Sequence, residues 1–125
     1  SKQMKEELRQ NLEKLKKLKK EVADGMLEES SIKPGDVIEF GFNQIVGVLE
    51  SKVVFQGDGK PEINLTCCEF TRARFLNSLT SDFITVYTLP YLVEESVKVI
   101  GKFTWEESDT DIVRLLTMTI DRRED

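Results

Sequence analysis

The chain contains no histidine, and that absence removes more chemistry than any motif in it supplies. Ser-His-Asp and Cys-His nucleophilic arrangements are excluded, and the commonest general base is missing. Only two cysteines occur, and they are adjacent, Cys67-Cys68. With no imidazole and no third thiol, the usual ligand set of a tetrahedral zinc site cannot be assembled. Two adjacent cysteines also cannot form the disulfide framework of a small secreted domain. No apolar run approaches the ~18–20 residues needed to cross a bilayer, and the opening "SKQMKEEL" carries no secretory-signal pattern. No Gly-rich phosphate loop of the GxxxxGKS or GxGxxG type occurs. These absences together predict a non-enzymatic protein with no cofactor and no metal, in a reducing intracellular setting, cytoplasmic or nuclear, away from membranes.

Proline is scarce, and none of the three stands in the first 33 residues. That region reads as an amphipathic helix over about the first 27 residues. Met4, Leu8, Leu12, Leu15, Leu18, Val22 and Met26 recur at intervals of three or four. At ~100° per residue they occupy about 120° of the helix circumference, one continuous apolar stripe. Glu6-Glu7 near the start and the "KKLKK" run towards the end follow the order that the helix dipole favours. Gly25 is expected in the last turn or at the helix end. At roughly 37 Å the helix is longer than one covering layer on a small β-domain requires. Its stripe therefore either packs on the chain's own sheet or pairs with a second helix, in a homo-oligomer or with a partner protein. The spacing follows 3.6 better than a strict heptad.

Charge divides between the two parts. Residues 1–30 hold eight Lys/Arg and seven Asp/Glu, whereas residues 31–125 hold ten and sixteen. An acidic body of this kind repels phosphate backbones, so duplex DNA and anionic membranes are disfavoured partners.

From "Lys33-Pro34-Gly35-Asp36", a turn signal, the pattern changes period. β-branched and aromatic residues dominate in strands predicted at 36–42, 45–56, 62–70, 82–89, 96–105 and 111–120. "Gly57-Asp58-Gly59-Lys60" marks a hairpin, and residues 106–111 form a longer polar connection. Strands recurring every 10–15 residues without intervening long helices predict a mainly β protein with an N-terminal α-helix. Its body is an antiparallel five- or six-stranded small barrel, OB-like, or a sandwich. Two domains follow: residues 1–30, a packing or oligomerisation helix, and residues 31–125, the β-domain. Gly47 and Gly101, inside strands, predict bends or bulges. "TRARFLNSLTS" (71–81) reads as a short helix at 71–79 more readily than as a strand.

In "INLTCCEFTRARF" (63–75), strand alternation sends Cys67 and Cys68 to opposite faces. They cannot then both face one core or hold one ion, and adjacent Cα atoms ~3.8 Å apart sit below the usual disulfide range. One is expected to be a buried small hydrophobe beside Ile63 and Leu65, the other a free thiol. Asn64-Leu65-Thr66 matches a glycosylation sequon, a short match that arises readily by chance. On a strand, Arg72 and Arg74 would converge beside Phe70, the aromatic-plus-arginine pattern that stacks unpaired bases. Lys98, Lys102 and Trp105 extend that candidate nucleic-acid set, although alternation puts Lys98 and Lys102 opposite Val99, Phe103 and Trp105. Trp105 and Tyr91 read first as core or rim aromatics. Glu107, Asp109 and Asp111 alternate as a hard-cation site such as Ca²⁺ would require, but without EF-hand spacing.

Two segments resemble OB-fold domains: "IVGVLESKVVFQGDGKPEINLTC" (45–67), similar to their first long hairpin, and "SVKVIGKFTWEESDTDIVRLLTMTID" (96–121), similar to their last two strands. A short helix at 71–79 would fall where that fold places one. The resemblance implies a small barrel, and binding of single-stranded nucleic acid or sugars on one face. The acidic charge departs from that habit. The expected function is protein–protein contact or assembly, with Met4, Leu8, Leu12, Leu15, Leu18, Val22 and Met26 as the contact stripe. The alternatives are a single-stranded nucleic-acid binder using Phe70, Arg72, Arg74, Lys98, Lys102 and Trp105, and a barrel holding a small molecule or sugar.

Overall fold

The structure is a computed structural model that describes residues 1–41, 44–70, 80–81, 84–89, 96–107 and 113–121. It divides into two compact units, Ser1–Ser30 and Ser31–Asp125.

The first unit is one helix, α1 (Lys2–Glu29). Ser1 caps it, its hydroxyl accepting from the Met4 amide at 3.3 Å, the N-cap role to which a short polar side chain suits. Leu, Lys, Glu, Gln and Arg fill most of its length, all good helix formers. Gly25 does not end the helix: the ladder runs past it to Glu29, and the Ser30 amide closes the last turn on the Met26 carbonyl at 3.0 Å. The expected dipole arrangement is also corrected. The first turn holds no acid and the last turn no base, so Glu6-Glu7 and the lysines lie too far from the ends to act on the terminal peptide groups.

The second unit opens on the Lys33-Asp36 turn. Gly35 takes φ +92°, a backbone angle open to glycine and costly for other residues. Its amide donates to the Val48 carbonyl, and its carbonyl accepts from the Phe103 amide, each at 2.8 Å. One turn is thereby stitched to two strands distant in sequence. The strands are β1 (Asp36–Phe40), β2 (Gln44–Phe55), β3 (Pro61–Phe70), the two-residue β4 (Thr80–Ser81), β5 (Ile84–Leu89), β6 (Lys98–Glu107) and β7 (Val113–Ile120). They form one antiparallel sheet in the order β4-β7-β6-β1-β2-β3-β5. Each full strand starts or ends within three residues of its expected position.

The ladder is not closed, since β4 and β5 occupy its two ends. Yet Ser81 and Ile84 are three peptide units apart, so their Cα atoms lie within about 11 Å. The chain itself draws the two ends of the sheet together, and the sheet must roll up on itself. Residues of β2 and β3 are buried on both faces. On one face Val37, Ile45, Leu49, Cys68, Phe70, Ile100, Phe103, Val113 and Leu115 form the main core, with Trp105, Met118 and Ile120 packed against it. Ile38, Val46, Val48, Ile63, Leu65 and Cys67 are buried as well, and the register places Val46 beside Ile38 and Val48 beside Cys67 on the opposite face.

Both interior glycines have identifiable work. At Gly47 a Cβ would stand 2.6 Å from Cζ of Phe103, so the ring packs directly on bare backbone. At Gly101 a Cβ would collide with the Thr119 carbonyl oxygen. Gly101 borders a bulge: Val37 pairs with Gly101 but Ile38 with Val99, leaving Ile100 as the extra residue. That bulge corrects the expected facing of β6. Ile100 turns into the core, while Val99, expected beside Phe103, is exposed, because one inserted residue reverses the alternation on its far side.

Candidate interaction surface

The apolar stripe of α1 is the largest run of exposed hydrophobic side chains among the described residues. Met4 is 69% exposed, Leu8 60%, Leu12 57%, Leu15 48%, Leu18 58% and Val22 46%; Met26 is partly buried. No residue of the helix is buried. From Met4 to Met26 the stripe extends about 33 Å along the axis. Soluble monomers rarely expose contiguous apolar patches beyond a few hundred Å².

The polar side of the helix is held by local pairs. Arg9 Nε donates to Glu6 Oε2 at 3.1 Å, and Gln10 Nε2 to Glu6 Oε1 at 3.4 Å. The Arg9 guanidinium keeps the fully exposed Glu6 carboxyl below its ordinary range, and Glu6 in turn raises Arg9. Glu6 and Gln10 lie on the far side of the wheel from the stripe, and Arg9 reaches Glu6 from the stripe's flank.

The candidate nucleic-acid residues do not gather into one surface among the described residues. Phe70 is a core residue, its ring edge-on to Phe103 at 5.9 Å and 88°. Trp105 is half-buried and stacked on Phe103, centroids 4.8 Å apart at 30°. Lys98 is exposed. Lys102 is exposed too, but its ammonium closes on the Asp36 carboxylate. Arg72, Arg74 and Tyr91, the expected helix at 71–79, and Asp109 and Asp111 lie outside the described residues; Glu107 is exposed at the end of β6.

The cysteine pair departs from expectation in one respect. The two thiols do point to opposite faces, but neither reaches solvent: both residues are 0% exposed and unpaired. The expectation that only one would be buried assumed a sheet covered on one side. Here Cys68 sits in the main core, its thiol 3.6 Å from the Gly47 carbonyl, while Cys67 sits beside Leu65 and Val48 on the other buried face. Desolvation, with a smaller contribution from Cys68, pushes the Cys67 thiol up to about 12. Desolvation likewise pushes Cys68 to about 11, opposed by smaller effects of backbone hydrogen bonding at Gly47 and at Cys68 itself. Thiols so shifted are protonated at neutral pH and poor nucleophiles.

Asn64 of the sequon lies mid-strand in β3, paired with Lys52 and Thr88, and its side-chain oxygen is buried without a hydrogen-bond partner. That is strand interior, not the surface loop a glycosylation acceptor occupies.

In the sequence, Asp36 is marked only by its place in a turn. It is 1% exposed, and its Oδ2 accepts from the Lys33 amide at 2.8 Å while Oδ1 meets Lys102. The turn motif signalled a short polar side chain there; nothing local signalled Lys102.

No helix among the described residues is long and apolar enough to cross a membrane. No protein-family model, no curated protein and no solved structure matches this chain.

Proposed function

We propose that this chain is a non-catalytic assembly module whose α1 stripe is the contact element. The observation that carries this reading is the row of half- to two-thirds-exposed side chains from Met4 to Val22. Exposed apolar surface of that extent is favourable to cover, at roughly 25 cal/mol per Å² removed from water. Helices of this kind also draw most of their stability from packing the apolar face rather than from propensity alone. The lack of histidine supports a binding role over a catalytic one. The sequence resemblance of 45–67 and 96–121 to OB-fold barrels is weighed against six full strands among the described residues, where that fold has five. The aromatic residues that would stack bases or sugars, Phe70 and Trp105, pack into the core instead.

A photo-crosslinking residue at Leu12, compared with one at Lys17 on the opposite side of the helix, tests the reading in cells of the protein's own source. Adducts that form at Leu12 and not at Lys17 are expected. Equal labelling at both positions, or none at Leu12, refutes the contact role of the stripe.

A further inference from the structure

The geometry points to a second copy of this chain as the occupant of the stripe, with the two α1 helices parallel and in register. This rests on the stripe being a contact element and adds the identity and orientation of its partner.

Three features carry it. First, residues 1–30 are close to neutral, eight bases against seven acids, in a chain of net charge −5. Two such helices add little repulsion of their own to that between the acidic bodies they carry.

Second, the stripe's flanks carry opposite charge. On the helical wheel, within about 60° beyond one edge, stand Lys5, Arg9 and Lys16, with no acid among them. Beyond the other edge stand Glu7, Lys14 and Glu21. In a parallel pair each flank meets the opposite flank of its partner; in an antiparallel pair each meets its own kind. Parallel pairing therefore sets the basic flank against the net acidic one, with Lys5 and Arg9 within two residues of Glu7 in height. Antiparallel pairing sets three cations against three.

Third, Asn11 lies within the apolar arc, and Lys19 lies just inside its basic edge. An in-register parallel pair brings Asn11 opposite its own copy, where each amide can donate to and accept from the other, whereas an antiparallel pair overlapping the whole stripe sets it level with Lys19. A polar residue on the seam is also a means of specifying register. Between Met4 and Met26 the steps are four, four, three, three, four and four. They average about 3.7, so the pair runs straight or with a right-handed crossing rather than as a left-handed heptad coil.

The test uses the intact chain. Analytical ultracentrifugation at about 10–100 µM, the range in which weak dimers populate, is expected to give twice the single-chain mass. Lys5→Glu with Lys16→Glu keeps every stripe residue and is expected to lose that doubled mass. Mixing it with a Glu7→Lys, Glu21→Lys chain is expected to restore it, a rescue that a folding defect would not permit. Met4→Cys alone and Met26→Cys alone, mildly oxidised, are each expected to give a disulfide-linked pair, with the unsubstituted chain and its buried thiols as control. A single-chain mass throughout overturns the proposal, as does linkage only when the M4C and M26C chains are mixed. If crosslinks at Leu12 then capture other proteins but never a second copy, the contact reading survives and this one falls. If Leu12 captures nothing, both fall.

Discussion

The ammonium of Lys102, on β6, closes on the carboxylate of Asp36, at the first position of β1, across 66 residues of sequence. The two ends of the pair stand in different media: the Lys102 side chain is 69% exposed and that of Asp36 1%. The lysine can shed its partner into water, whereas the carboxylate cannot. Asp36 also holds the Lys33 amide, so it secures the turn that Gly35 stitches to β2 and β6.

A double-mutant cycle at Asp36 and Lys102 is therefore expected to give a coupling above about 1 kcal/mol. The pair Glu106–Arg114, at 3.3 Å with both side chains more than half exposed, is expected to give about 0.5 kcal/mol or less. Urea unfolding of the single and double alanine variants measures both. Equal couplings would show that the burial of Asp36 contributes nothing to the pair.

The contact between Gly47 and the Phe103 ring sets a second expectation. Gly47→Ala places a methyl group into the ring and against the Cys68 sulfur, 3.0 Å away, and is expected to cost about 1–3 kcal/mol. Phe103→Leu in the same chain should recover part of that loss by vacating the ring edge. Gly101→Ala collides chiefly with backbone, the Thr119 carbonyl oxygen, so trimming Ile120, whose Cδ1 lies 2.9 Å from the added methyl, should not recover it. Thermal melts of the single variants and of the double variants Gly47→Ala, Phe103→Leu and Gly101→Ala, Ile120→Val decide the matter. Rescue of both glycines, or of neither, would contradict the assigned contacts.

Burial of the two thiols makes stability depend on pH at the alkaline end. Their folded pKa values, about 12 and about 11, lie above that of an unfolded thiol, about 8.5. Below about pH 8.5 both states are protonated and the full stability is present. As pH rises further the unfolded chain releases protons that the folded chain retains. Stability is then expected to fall by about 1.4 kcal/mol per pH unit for each thiol, up to the folded pKa values. Cys67→Ser with Cys68→Ala should flatten that slope while lowering stability at pH 7. An alkylating reagent at pH 8 should label neither thiol in the native chain and both in denaturant; rapid native labelling would contradict the burial.

Local pattern carried most of the fold. The helix and all six full strands are visible as a change of hydrophobic period at Lys33-Pro34-Gly35-Asp36, and Gly101 advertised its bulge. What stayed hidden was non-local. The orientation of Val99 depends on a single extra residue in β6 relative to β1, which alternation along β6 alone cannot reveal. The double burial of Cys67 and Cys68 depends on what packs against each face of β3, which alternation within the strand does not show. The stripe of α1 was legible residue by residue, because helical spacing is a local property.

Composition and spacing alone set the chemistry available to this protein and the period of its segments: no imidazole, an amphipathic helix first, then strands. Side-chain type and spacing act over a few residues, so they can be read without a fold. Tertiary structure alone decided which faces meet. It drew Phe70 and Trp105 inward around Phe103, set Lys102 against Asp36, and brought β4 and β5 together at the two ends of one ladder. Those outcomes depend on strand order and register, which are settled by packing between residues far apart in the chain.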